Sequence, residues 1–264
     1  MATVKKVYQV LDCFAPFRTQ MGFDNAGLLV GDENAEATRV LVSLDITLPV
    51  IREAAEQGAQ LIVAHHPVIF DPVKSVLSGD PTGDKLITLI RNNISAICAH
   101  TNLDVAVGGV NDALAGTLEL KDIEVFLPDG LDGQGRPYGL GRIGVLEEAR
   151  ALPEFAETVK RKLNANGIRY VDSGKPVRRV AVGGGACGSC LRDAWSKGCD
   201  VLVTSDVKYD VFLDAQALGI SLIDAGHFPT ENVVLPVLCR VIREAFPNLD
   251  IQVSRTHREV FSCL

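Results

Sequence analysis

The sequence predicts an α/β protein made of two related α/β halves with mostly parallel sheets. Three observations carry that prediction. Short β-branched runs alternate with amphipathic helical stretches, the pattern of strand–helix–strand units. Residues 39–66 align with 179–206 at a constant offset of 140 without a gap, with Arg39/Arg179, Val40/Val180, Val42/Val182, Arg52/Arg192, Ala54/Ala194, Gly58/Gly198 and Val63/Val203 identical. Seven identities in 28 positions are modest, and it is the in-phase strand–helix–strand pattern that makes the match read as a repeat. Third, the segment 127–139 (LPDGLDGQGRPYG) is rich in Gly, Pro and Asp and reads as a linker. It divides the chain into an N-terminal half, residues 1–126, and a linker with the C-terminal half, residues 127–264.

Taken in order, RVLVSL (39–44) and LIVA (61–64) are strands. Between them TLPVIREAAEQG is a helix, with Pro49 tolerated in its first turn and Gly58 as its C-terminal stop. The helical DKLITLIRNN leads into a further strand, ISAICA (94–99). PEFAETVKRKLNANG (153–167) starts near a proline and ends on Asn-Gly, and is a helix. RVAVGG (179–184), DVLVT (200–204) and ISLID (220–224) are strands, separated by the helical SCLRDAWSKG and DVFLDAQALG.

Composition bounds the function. Hydrophobic residues at 47% and charged residues at 22% fit a globular chain and exclude disorder for its bulk. No apolar run approaches the ~20 residues a membrane-spanning helix needs. MATVKKVYQVLD lacks the apolar core of a secretory signal, so the expected compartment is the cytoplasm. A net charge of −7 without a basic cluster argues against a duplex nucleic-acid binder. Seven scattered cysteines read as reduced thiols, with Cys98, Cys199 and Cys239 buried and inert.

The chemistry sits at strand ends, where open α/β sheets bind ligands. His65 and His66 follow LIVA and precede Pro67, whose turn can bring both imidazoles to one cavity; the alternative is one core and one surface histidine. AHTNLD (99–104) offers His100, Asn102 and Asp104 after the next strand, and DAGHFPTE (224–231) offers Asp224, His227 and Glu231. His227 and Glu231 are four apart, on one face if a helix starts there. Four of the five histidines fall in these three places, and that concentration favours a site over chance. Nitrogen and oxygen donors converging in a crevice between the halves suit a borderline divalent ion such as Zn, Mn, Fe or Ni, and the competing reading is three unrelated solvated loops.

LIVAHHPVIF, AHTNLDVAVGGVND and DAGHFPTE, in this order, resemble the three metal-site motifs of the GTP cyclohydrolase 1 type 2 family, the Nif-three-like dinuclear-metal-centre hexameric proteins. The likeness extends to FDNAGLLVGD (23–32), LVSLDITLPVIREA (41–54), YGLGRIGVL (138–146) and the run from Lys175 to Asn232. The resemblance implies two divalent ions per chain held by His65, His66, Asp104, His227 and Glu231, with Glu231 bridging. It also implies a toroidal homohexamer whose sites face an inner cavity. Five shared protein ligands leave open positions on both ions, as catalytic rather than structural sites do. The expected chemistry is hydrolysis of a small nucleotide or heterocycle by activated water, with GTP suggested by the family's name. His100, four residues before Asp104, is the best candidate either for supporting a metal ligand or for carrying a proton, and Asp45 is a weaker candidate for supporting a ligand. A metal carrier or a ring-shaped scaffold for a protein partner is the non-enzymatic alternative.

Two features depart from the family. Where relatives tend to carry Thr-Gly-Asp followed by Lys-Tyr-His, this chain has Thr204-Ser205-Asp206 and Lys208-Tyr209-Asp210, and Cys187 and Cys190 occupy the turn GGGACGSC, where relatives mostly carry small residues without thiols. A C-x-x-C at a helix start can serve redox chemistry. The string Gly139-x-Gly141-x-x-Gly144 lacks the preceding strand and following helix of a dinucleotide fingerprint, GRIGVL itself reading as a strand. No phosphate loop and no G-x-S-x-G nucleophile elbow are present.

Overall fold

The computed structural model describes residues 2–264. In chain order the elements are α1 (Val4–Phe14), β1 (Gly27–Val30), β2 (Arg39–Ser43), α2 (Leu48–Glu56), β3 (Leu61–Ala64), α3 (Pro81–Arg91), β4 (Ser95–Cys98) and α4 (Thr101–Val105). There follow α5 (Val110–Thr117), β5 (Lys121–Leu131), β6 (Pro137–Arg150), α6 (Leu152–Leu163), β7 (Arg169–Val171), β8 (Val177–Val182) and α7 (Leu191–Ser196). The chain closes with β9 (Val201–Thr204), α8 (Tyr209–Leu218), β10 (Ser221–Asp224), α9 (His227–Asn232), α10 (Leu235–Ala245) and β11 (Asp250–Val253). These form two compact units. The first runs to Ala106 and takes back Leu235–Arg258, and the second holds Val107–Val234 with Glu259–Leu264. No helix among the described residues is long and apolar enough to cross a membrane.

The first unit has a five-stranded sheet in the order β1-β4-β3-β2-β11. β2, β3 and β4 run parallel, with β11 parallel to β2 and β1 antiparallel to β4. LIVA and SAIC are buried at every residue, as strands covered on both faces must be. Each aliphatic side chain so enclosed contributes roughly 1.5–3 kcal/mol. Thr47 caps α2, its side chain accepting from Val50 N, with Pro49 in the first turn, and Val50, Ile51 and Ala54 pack on the sheet. Gly58 at φ +66° lets the chain leave the helix, a conformation that costs a side-chain-bearing residue ~1–2 kcal/mol. β11 is tied down by charge. Arg39 Nε donates to Asp250 Oδ2 at 2.6 Å, and buried Glu53 accepts from Arg255 N, Thr256 N and the Ser254 and Thr256 hydroxyls.

The second unit has six strands in the order β5-β6-β8-β9-β10-β7. β8, β9 and β10 are parallel, and β5, β6 and β7 pair antiparallel to their neighbours. Val40 pairs with Leu61 in the first unit and Val180 with Val201 in the second, the same register at the offset of 140. In each unit an antiparallel strand also closes one end of the parallel run, β1 on β4 and β7 on β10.

The segment 127–139, expected to be a linker, instead ends β5 and begins β6 in a hairpin within the second unit. Asp132 shapes its turn by accepting from Gln134 N and Arg136 N. The compact units divide at Ala106 and Val234, whereas composition marked only 126/127. Gly139 and Gly141 lie inside β6; a Cβ at Gly139 would stand 2.0 Å from Leu127 O, so close strand approach, not nucleotide binding, accounts for glycine there.

Candidate metal centre

In the first unit the sheet pairing runs past β3 and holds the histidine tandem. His65 N donates to Ser43 O at 3.3 Å and His66 N to Leu44 O at 2.9 Å. His100 follows β4 and opens α4, in which Asp104 N donates back to His100 O at 3.1 Å. One ring nitrogen from each of His65, His66 and His100 falls within a 4.8 Å group, so the three could hold a metal ion. The Nδ1 atoms are all engaged. His65 Nδ1 donates to Ala99 O at 2.8 Å, and His66 and His100 pair through Nδ1 with Asp45 Oδ1 and Asp24 Oδ1, both at 2.7 Å. An imidazole whose Nδ1–H is donated carries its lone pair on Nε2, the arrangement that prepares a metal ligand.

Asp24 has all four of its acceptor sites filled, by His100 Nδ1, Asn25 N, Thr101 N and the Thr101 hydroxyl. Burial opposes its charge, but the bonds from His100 and Thr101 outweigh it and hold the carboxyl well below the usual carboxylate range. The wholly buried His65 points Nε2 at Asp104 Oδ1, 3.5 Å away. With Nδ1–H given to a carbonyl, both facing atoms bear lone pairs in a place shielded from water. A cation between them turns that repulsion into two bonds, so the donor set fits a metal.

The second unit repeats the device. His227 Nδ1 pairs with Asp206 Oδ2 at 2.6 Å, and Nε2 faces Glu231 Oε2 at 3.0 Å across one turn of α9. Glu231 is buried against the glycine-rich turn after β8, where a Cβ at Gly185 would stand 2.1 Å from its Oε1. Gly185 N donates to Thr230 Oγ1 at 3.1 Å and Gly184 N to Asn111 Oδ1 at 2.9 Å, fixing the turn. A cavity of about 760 Å³ in this unit is lined by His227, Asp206, Asp224, Arg169, Lys160 and Tyr170.

Two donors offered by the strand ends do other work. Asn102 donates to Ala15 O and accepts from His100 N, and Asp224 is held by Arg169, Val207 N and Gly226 N. Asp210 is exposed in the first turn of α8. Burial pushes the Cys98 thiol up to about 12 and raises Cys199 and Cys239, as inert thiols require. Asp24 and Asp206 were not singled out by the sequence; each is an acidic residue remote in the chain from the histidine it orients, and only the fold pairs them.

The Duf34/NIF3 (NGG1p interacting factor 3) family model matches residues 2–259. The chain is 33% identical to the GTP cyclohydrolase 1 type 2 homolog of Clostridium perfringens over 94% of its length and 92% of that protein's. A hypothetical protein of Staphylococcus aureus superposes with a TM-score of 0.93 at 32% identity, covering 99% of both chains. A Bacillus cereus protein related to NIF3 superposes with a TM-score of 0.93 at 28% identity, covering 100% of this chain and 99% of that one. With the family model spanning nearly the whole sequence, the chain belongs to the Duf34/NIF3 family.

Proposed function

We propose that His65, His66, Asp104, His227 and Glu231 together hold two divalent ions and that the protein is a hydrolase of a small nucleotide or heterocycle. The observation that carries this reading is the uniform anchoring of four imidazoles at Nδ1, which presents Nε2 of each. Bound divalent ions supply Lewis acidity and activate water near neutral pH. The chain's own part is to orient and to move a proton. His100, its Nδ1–H fixed on Asp24, takes a proton at Nε2, and the Asp24 charge stabilises the resulting imidazolium, as an orienting carboxylate does in a catalytic triad.

Phe23 and Phe70 support a planar substrate. Both are exposed, their centroids are 6.4 Å apart, and the Phe70 centroid lies 6.0 Å from that of His100. Stacking a heteroaromatic ring on such a side chain is worth ~1–3 kcal/mol. The name of the Clostridium perfringens relative makes GTP the first compound to try. We also propose a homohexamer of about 170 kDa, six 28.3 kDa chains. It would work in the cytoplasm, a reducing compartment that suits seven cysteines without a disulfide in the resting protein.

The test is turnover of a panel of nucleotides, phosphoesters and cyclic amides by chelator-stripped and metal-restored protein. Activity should vanish with chelator, return with metal and rise through neutral pH, and His100→Asn should lower rate more than metal content. A fully metallated protein that turns over nothing, while releasing metal within minutes or binding a protein partner, would replace this reading with a carrier or scaffold.

A further inference from the structure

Cys187 and Cys190 bound the single turn that joins the Glu231 cradle to α7, and the proposed reaction uses neither thiol. Their Sγ atoms are 4.0 Å apart. Both side chains are buried, whereas Cys13 and Cys263 are exposed. The hydrogen bond between the two thiols is the main influence on Cys190, and with a bond from Ser189 it holds that thiol below its ordinary range against burial. The contrast with Cys98, Cys199 and Cys239, all raised by burial, marks this pair as the reactive one among the buried cysteines.

We propose that Cys187 and Cys190 form a reversible disulfide on exposure to hydrogen peroxide, and that the bridge loosens the hold of the glycine turn on Glu231. Peroxide is small enough to reach a pair with so little exposed surface. Cys190 thiolate attacks one peroxide oxygen, the O–O bond breaks, hydroxide leaves and a sulfenic acid forms. The Cys187 sulfur attacks that sulfur, the S–O bond breaks, and the oxygen leaves as water with the Cys187 proton. Overall two thiols lose two electrons and two protons, and peroxide becomes two waters.

The bridge requires the sulfurs to close to ~2.05 Å, a movement of about 2 Å. Cys190 leads directly into α7, which is pinned by buried Leu191 and Ala194, so the displacement falls on Cys187. Cys187 N donates to Gly185 O at 3.0 Å and to Thr204 Oγ1 at 2.9 Å, and Thr204 Oγ1 donates to the same Gly185 carbonyl at 2.9 Å. A Cβ at Gly183 would stand 2.6 Å from Cys187 Cβ, so the strand end also abuts this residue. Moving Cys187 therefore moves Gly185, which binds Thr230 and leaves no spare room beside Glu231. The disulfide itself is independent of the proposed function; the consequence for metal rests on Glu231 as a ligand.

The full-length protein is reduced, loaded with zinc or stripped by chelator, and titrated with hydrogen peroxide. Three readouts follow it: peptide mass spectrometry, fluorescence of Trp195, the lone tryptophan and a residue of α7, and zinc affinity by chelator competition. We expect a Cys187–Cys190 peptide lacking two hydrogens, a fluorescence change reversed by dithiothreitol, and at least a tenfold loss of zinc affinity, within the ~10–100-fold typical of disturbed ligand support. The Cys187→Ser/Cys190→Ser protein should keep its zinc affinity with or without peroxide. Oxidation confined to Cys13 and Cys263 overturns the proposal. So does a bridge that leaves zinc affinity equal to that of the double serine variant. If the reduced protein holds no zinc, the metal reading and its consequence fail, while mass and Trp195 still decide the bridge.

Discussion

Replacing Asp24 by asparagine keeps the shape of the side chain and removes one of its two acceptor oxygens. In the native protein Oδ1 accepts from His100 Nδ1 and Asn25 N, both at 2.7 Å, and Oδ2 accepts from Thr101 N at 3.0 Å and the Thr101 hydroxyl. If the amide oxygen takes the Oδ1 place, the amide nitrogen faces Thr101 N. The threonine hydroxyl can rotate to accept, but the backbone N–H cannot. A buried donor left unmatched costs ~1–3 kcal/mol, and loss of charge on the His100 bond costs about 1 kcal/mol more. The variant should therefore be ~2–4 kcal/mol less stable at pH 7, roughly 4–16 °C in melting temperature at 2–4 °C per kcal/mol for a chain of this size. The native carboxyl titrates below its unfolded value, so its contribution is fully present above ~pH 4 and is lost as pH falls through the folded value. The gap between the two proteins should thus shrink on acidification. Thermal unfolding by circular dichroism with chelator present, at pH 7 and at steps below pH 5, measures this. A variant melting within 1 °C of wild type at pH 7, or a gap that widens as pH falls, would refute the assignment of Asp24 as an ionised anchor for His100.

Asp45→Ala removes the partner of His66 Nδ1 at a side chain that is 42% exposed, so calorimetric zinc titration should show a ~10–100-fold affinity loss while stability falls by less than ~1 kcal/mol. Gly185→Ala adds a Cβ that would stand 2.1 Å from Glu231 Oε1, at φ +64°; elemental analysis should find it depleted of metal while its circular dichroism stays native-like. Glu53→Gln leaves a backbone donor of the Ser254–Thr256 turn without its carboxylate and should lower the urea midpoint by the equivalent of ~1 kcal/mol at neutral pH. Burial works against the Glu53 charge, yet the bonds from Arg255, Ser254 and Thr256 hold it at about 2, so this difference should fade as pH drops from ~4 toward 2.

The placement of the candidate residues at strand ends is legible in the sequence because parallel strands bury every residue and so stand out as apolar runs. The histidines after LIVA and ISAICA therefore had to be at strand ends, and the spacing of His227 and Glu231 anticipated the turn of α9 that places Nε2 3.0 Å from Oε2. What stayed hidden depends on tertiary pairing. Asp24 lies 76 residues from His100, and nothing local in FDNAG marks it as that residue's partner. The return of α10 and β11 to the first unit was equally invisible, since β11 joins β2 at a separation of 211 residues through Arg39 and Asp250. The hairpin at 127–139 reads as a linker in the sequence because the residues that make a tight turn are also those of a flexible connection.

Whether Nε2 of His65, His66 and His227 binds metal is decided by elemental analysis of the purified native protein. Two divalent ions per chain are expected, both lost in His65→Ala and both lost in Glu231→Ala. A wild-type protein that carries no metal and takes up none from zinc, manganese or iron would contradict the claim, and a Glu231→Ala protein that keeps two full equivalents would remove Glu231 from the centre.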